Sequence, residues 1–163
     1  MNSAQTGFSP ETFEALLAAR SFEPDWMRDR RRAAFHVLLD TPLPTRTDEA
    51  WRRTDFSALK LNEVEVLTSA YNGQAARRGA PQSIKEAITG QGASGGLVSS
   101  DGQIVAARLA DDLRQQGVIF TDMETALRQH SDLLEPLFMT NVVKATDGYF
   151  AALHGAFWQG GAK

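Results

Sequence analysis

Over the first forty positions, apolar residues recur at the three-to-four spacing of helices with one buried stripe. Ser9-Pro10-Glu11 supplies an N-cap, a proline at the first helical position and an acidic first turn. Phe13, Leu16 and Leu17 follow at helical spacing, predicting a short helix that ends near Arg20. A second helix starts at Glu23-Pro24-Asp25. Its apolar positions Trp26, Met27, Ala33, Ala34, Val37 and Leu38 share one broad face, with Arg28, Asp29, Arg31 and Arg32 mostly placed elsewhere. Thr41-Pro42-Leu43-Pro44 stops it, because neither proline can continue the hydrogen-bond ladder.

Beyond the prolines the period changes. Thr47-Asp48-Glu49 reads as a cap opening a turn or short helix through Trp51, and Asp55-Phe56-Ser57 reads as a turn. Glu63 to Leu67 alternates charged and apolar residues, as a strand with one wet face does. Ser69 to Gly95 is rich in Gly, Ala, Ser and Gln, with a weak helical segment at Ser83 to Ile88, and reads as a linker or mobile loop. Leu97–Ser100, Asp101-Gly102 and Gln103–Ala106 form a hairpin signal, since Asp-Gly suits a type I′ turn. Gly117-Val118-Ile119-Phe120 reads as a buried strand, and Thr121-Asp122-Met123-Glu124 as a capping box that launches a helix through Ala126 and Leu127. Phe150, Leu153 and Phe157, with Trp158 beside them, give a last helix running to Gly160-Gly161. A glycine pair normally hands the chain to another element, so the ending at Ala162-Lys163 reads as a chain cut short. A natural end that frays is the competing reading.

The predicted class is α+β, with N-terminal helices beside a small sheet made of the hairpin and the Val118 strand. Three segments are expected: a helical region over 1–62, a partly flexible connection over 63–95 and an α+β stretch over 96–163. Composition narrows the function. The 163 residues are 42% hydrophobic and 23% charged, as in folded globular chains, and the net charge of −3 offers no basic field for nucleic acid or anionic lipid. With no cysteine, disulfides, thiolate metal sites and a cysteine nucleophile are excluded for this chain. Neither a secretory signal nor an apolar run near the ~20 residues of a membrane span is visible, so the expected location is the cytoplasm.

Candidate chemistry is sparse. His36, His130 and His154 are dispersed, and none stands four residues from another. Gly95-Gly96 and Gly90-Gln91-Gly92 lack the Lys-Ser/Thr that completes a phosphate loop. Asp48, Glu49 and Asp55 read as cap and turn residues rather than a catalytic carboxylate pair. Arg28, Arg30, Arg31 and Arg32 read as the solvated face of a helix, against a nucleic-acid or phosphate patch, with an acidic protein partner as the alternative use of that face. Trp26, Trp51 and Trp158 are core or interface anchors; Trp51 could pin a turn against a helix or mark a contact surface. No catalytic, cofactor-binding or metal residue is predicted, and the chain is read as a non-enzyme.

Two stretches carry a family resemblance. The first runs Glu23-Pro24-Asp25-Trp26-Met27, then Arg30, Pro42-Leu43-Pro44-Thr45 and Asp48-Glu49-Ala50-Trp51-Arg52-Arg53-Thr54-Asp55. The second joins Gly117 to Leu127 with Phe150-Ala151-Ala152-Leu153-His154-Gly155-Ala156-Phe157-Trp158-Gln159-Gly160-Gly161. Together they resemble the front of SufB and SufD proteins, and the intact DEAWRRTD string is closer to the SufD pattern. The resemblance covers about residues 23–61 and 95–161. It implies a scaffold subunit of the SUF system of iron–sulfur cluster assembly, a long right-handed parallel β-helix following this region, and SufB-like and SufC-like (ATPase) partners bound through a full-length parent. It carries over no catalytic or ligand residue, no cofactor in this chain, no nucleic acid and no membrane. A cut sheet edge would also invite pairing between copies of the chain.

Overall fold

The structure, a computed structural model, describes residues 5–66, 94–100 and 103–161, together with Gln82 and Glu86. It divides into two compact units, one of residues 1–70 and 135–158, the other of residues 71–134 and 159–163. These units cut across the three consecutive segments expected above. The last helix belongs with the N-terminal helices, not with the hairpin that precedes it.

In the first unit, α1 (Pro10–Ala19) starts as expected, with the Ser9 hydroxyl accepting from the Thr12 N–H at 3.2 Å. Thr12, Phe13, Leu16 and Leu17 are its buried face. α2 (Asp25–Asp40) follows Pro24 directly, without a side-chain cap, and stops at Thr41, whose hydroxyl donates back to the Val37 carbonyl at 2.6 Å. Its buried face is Met27, Arg31, Ala34, Phe35 and Leu38. The expectation is corrected here: Ala33 is exposed, Trp26 only half-buried, and Arg31 lies at the centre of the buried stripe.

The core forms where α1 and α2 meet the helix Tyr149–Phe157, called α6 below because three others precede it. Phe13 stacks on Phe35 with centroids 4.1 Å apart, and Phe157 stands edge-on to both at 5.7 and 5.8 Å. Each such ring contributes roughly 1.5–3 kcal/mol by burial alone. α2 and α6 come close enough that a Cβ on Gly155 would lie 2.9 Å from the Ala34 Cβ and 3.2 Å from the Met139 Cε. Across the core, β1 (Gln5–Thr6) pairs antiparallel with β2 (Glu65–Val66), and Val66 is buried in the cluster. The alternating stretch Glu63–Leu67 thus yields only two ladder residues, after a 3-10 turn at Leu61–Glu63. Its strand partner at the N-terminus carries no apolar pattern and was not anticipated.

The second unit holds the hairpin, β3 (Gly95–Ser100) against β4 (Gln103–Leu109). The register pairs Ser100 with Gln103, as a two-residue connection at 101–102 requires, although those two residues lie outside the described set. A bulge follows, because Val98 faces Ala106 while Ser99 faces Ile104. The predicted flexibility of Ser69–Gly95 and the helical segment at Ser83–Ile88 also fall almost wholly outside the described residues.

The Val118 strand is a correction. A helix that the pattern did not reveal, α3 (Asp111–Gln115), occupies the approach, and Gly117 ends it at φ +83°. The Gly117 N–H bonds the Arg114 carbonyl at 3.0 Å and the Val118 N–H bonds the Leu113 carbonyl at 3.0 Å, the paired bonds of a Schellman terminus. The Val118 amide is thereby committed to a helix end, and its side chain is 43% exposed. Among the described residues the sheets are two separate two-stranded pairs, β1–β2 and β3–β4.

α4 (Met123–Gln129) forms where expected, but its cap is Asp122 rather than Thr121. The Asp122 carboxylate accepts the Thr125 N–H at 2.8 Å and the Thr125 hydroxyl at 2.7 Å. Partial burial pushes this carboxyl upward, yet the bonds from the Thr125 amide and hydroxyl, its own amide and the Thr121 hydroxyl together outweigh it and hold it below its usual range. α5 (Ser131–Leu134) completes the unit, and the Met123 N–H donates to the Gly161 carbonyl at 3.1 Å. The α+β class stands. None of the described helices is long and apolar enough to cross a membrane.

Two measurements test these readings. Gly155→Val should lower the unfolding free energy by about 1–3 kcal/mol in urea titrations, since Ala34 has no flexible end to move aside. Asp122→Ala should cost about 1 kcal/mol at neutral pH. A carboxyl depressed in the folded state contributes fully above its unfolded value and loses that contribution as pH falls through the folded one. The wild-type and Asp122→Ala melting temperatures should therefore converge in acid.

Candidate functional site

Glu23 sits at the corner between α1 and α2, and Arg31 two turns into α2 points back at it. The pairing is bidentate: Arg31 Nε donates to Glu23 Oε2 at 2.8 Å and Arg31 Nη2 to Oε1 at 2.7 Å. Both side chains have no solvent exposure. The remaining guanidinium nitrogen, Nη1, donates to the Ala156 carbonyl at 2.9 Å near the end of α6. Arg20, from the end of α1, adds a longer bond to Glu23 at 3.3 Å. Trp158 covers the group, with the Arg31 guanidinium 4.5 Å and the Arg20 guanidinium 5.8 Å from its ring. Phe138 lies 5.0 Å from the Trp158 ring, and its carbonyl accepts from Arg30 at 2.8 Å.

Four segments, the end of α1, the corner, α2 and the end of α6, are thereby tied at one point. Such a pair is costly to desolvate, so its net gain is small, but leaving either partner alone is expensive. Among the described residues, Trp158 Nε1 and Arg28 Nε are buried without an acceptor.

The motif loop around Trp51 is a second arrangement. Thr45 donates through its N–H and hydroxyl to Asp48 at 2.6 and 3.1 Å, and a 3-10 turn over Glu49–Trp51 follows. Asp55 accepts the Ser57 N–H at 2.9 Å and pairs with Arg46, while Arg52 pairs with Glu49 at 2.7 Å. The Ser57 amide first, then its hydroxyl and Arg46, hold the Asp55 carboxyl below its ordinary range. These acids are turn and cap residues, as read from the sequence. Trp51 lies 5.4 Å from Phe56 and 5.3 Å from Phe150, so its ring pins the turn to α6.

The Arg28–Arg32 run does not form one solvated face. Arg31 is buried on Glu23, Arg30 reaches the Phe138 carbonyl and lies over the Trp26 ring at 4.8 Å, and Arg32 pairs with Asp29 on the surface. The missed residue is Arg31. Its signal was present: Met27, Arg31, Ala34, Phe35 and Leu38 keep helical spacing on one face, so an arginine there needs a buried counter-ion.

His36 and His154 are exposed on the first unit. His130 is half-buried in the second, at an open cleft of about 410 Å³ beside Leu109, Val118 and Phe120. Among the described residues no group of three His, Asp or Glu side chains is placed to hold a metal ion.

Relatives with curated names match nearly the whole chain. An iron–sulfur cluster assembly SufBD family protein of Mycobacterium tuberculosis is 29% identical over 173 aligned residues, covering 98% of this chain and 19% of its own. The iron–sulfur cluster assembly protein SufD of Bacillus subtilis is 32% identical over 145 residues, covering 86% of this chain. SufB of the same organism is 24% identical over 168 residues, covering 98%. Along nearly its whole length the chain is similar to proteins named for the SufBD family. It spans 31% of the Bacillus SufD and 34% of the SufB sequence. No family model and no solved structure matches it. In this chain the two motif stretches meet in space: Glu23 from the first reaches Trp158 from the second through Arg31, and Trp51 meets Phe150.

Glu23→Gln should cost about 3–5 kcal/mol of unfolding free energy, because it leaves the Arg31 charge buried and unpaired. The double change Glu23→Leu with Arg31→Met should recover much of that loss in the same urea titration. A double variant no better than Glu23→Gln would show that burial of charge is not what Glu23 answers.

Proposed function

We propose that this chain is a structural part of a SufD-type scaffold subunit in iron–sulfur cluster assembly. Its SufB-like and SufC-like (ATPase) partners would be met through a protein of its relatives' length, in the cytoplasm. The observation that carries this reading is where the shared residues go. Glu23, Trp51, Phe150 and Trp158 contact one another or their immediate neighbours, and none converges on a reactive group. The chain would thus shape a body that other segments build on. It would do no chemistry and hold no cluster itself, with cysteine absent and, among the described residues, no group of three His, Asp or Glu side chains placed to hold a metal ion.

SufD is preferred over SufB because identity to the Bacillus SufD is 32% against 24% to the SufB, and because DEAWRRTD is intact. A separate module binding an acidic partner through Arg28–Arg32 loses its basis, since Arg31 faces inward.

A paired capture experiment tests the proposal. A SufC-type ATPase needs a preformed surface of roughly 800 Å². It should be retained by a SufD protein of full family length carrying this sequence, and not stoichiometrically by this chain alone. Reconstitution of the chain with iron and sulfide should leave no stable visible-absorbing species after desalting. Tight ATPase capture by the chain alone, or a stable cluster on it, would overturn the assignment of a purely structural role.

A further inference from the structure

The cleft of the second unit is lined by Ala107, Arg108 and Leu109 of β4 and by no residue of β3. Neighbouring strand residues point to opposite faces, so three in a row line one hollow only along the edge of the strand. That edge is the outer one, where among the described residues β4 has no neighbouring strand. The ladder fixes what the edge presents. The Ala110 N–H donates to the Ser94 carbonyl at 2.8 Å, and bonded and non-bonded pairs alternate from there. Arg108 opposite Gly96 is a bonded pair, while Leu109 opposite Gly95 and Ala107 opposite Leu97 are not. Ala107 and Leu109 therefore turn their N–H and C=O away from β3, towards the cleft. Val118 and Phe120 add apolar surface to it, and Phe120 meets Leu109 over Gly95, where an added Cβ would lie 3.6 and 3.5 Å from them. Arg114 and His130 line the same cleft, and no Asp or Glu does. Arg114 is 66% exposed, and its pairing with Asp111 is long at 3.6 Å, weak enough to yield to another carboxylate.

We propose that the outer edge of β4 is a docking site for an extended, acidic segment of another protein, which joins the hairpin as a third strand. Its main chain bonds Ala107 and Leu109, an apolar side chain lies on Val118 and Phe120, and a carboxylate meets Arg114 and His130. Charge selects this occupant over a second copy of the chain. Two such clefts brought together would set Arg114 and His130 against their own counterparts, and like charges face to face are costly. The site uses none of the residues that carry the scaffold reading, so either can fail without the other.

The probe is a capped peptide of about six residues, the length of an ordinary strand, alternating valine and glutamate. Added to isotopically labelled chain, it should slow hydrogen exchange at the Ala107 and Leu109 amides and leave that of Arg108, already bonded to β3, unchanged. Arg114→Gln should weaken the binding about threefold, as loss of a surface charge pair does. Arg32→Gln, which removes the same charge from the first unit, should leave it unchanged, and a peptide with lysine in place of glutamate should bind less tightly. Unaltered exchange at Ala107 and Leu109, or equal binding of the lysine peptide, would overturn the site. Slowing of the same two amides on concentrating the chain alone would overturn it as well, by assigning the edge to a second copy.

Discussion

A guanidinium with no solvent exposure must find a carboxylate and fill its remaining donors, and Arg31 places that demand at the centre of the first unit. Glu23 answers with both oxygens, which fixes the corner between α1 and α2. The Ala156 carbonyl answers with the third bond, which fixes the end of α6. Once those three points are set, α6 must lie along α2, and only small residues are tolerated where they cross. Gly155 against Ala34 is the result. The phenylalanine cluster then fills the space that α1 closes from the other side.

That arrangement explains how a segment more than a hundred positions downstream comes to complete an N-terminal helical core. Residues 135–158 belong to the first unit, while the hairpin and α3 to α5 intervene as a second one. The ties back are of three kinds: the Arg31 bond to Ala156, the Arg30 bond to Phe138, and the packing of Trp51 and Phe56 on Phe150. The stretches that resemble SufBD proteins supply one side of each tie: Ala156, Arg30, and Trp51 with Phe150. Their residue types are those that bridging requires, with long forked cations, a carboxylate at a corner and flat rings. This is the pattern of a load distributed over a body.

Local signals were legible where a short range of sequence decides the outcome. Ser9-Pro10 started a helix, Thr41-Pro42 stopped one, and the alternation on either side of Asp101-Gly102 gave β3 and β4 their pairing. Trp51 could be read as a pin, though its partner Phe150 could not be named from spacing alone. The misreadings share a cause. Gly117-Val118-Ile119-Phe120 looks like a strand by composition, but Gly117 was already committed to ending α3, and the Val118 amide went with it. Thr121 and Asp122 are both able caps, and Asp122 is the one whose two carboxylate oxygens take the Thr125 N–H and hydroxyl together.

The sequence by itself determined the α+β class, the main helices, the hairpin, the lack of cysteine ligands and the family resemblance. These rest on periodicity, caps, turn residues and composition, all of which act within a few residues. Tertiary structure decided which face of α2 turns inward, that Arg31 rides on it, and that α6 returns to the N-terminal helices. Those outcomes depend on partners 8 and 125 positions away from Arg31. A buried charge is tolerable only when the whole fold delivers its counter-ion, and no local window contains that condition.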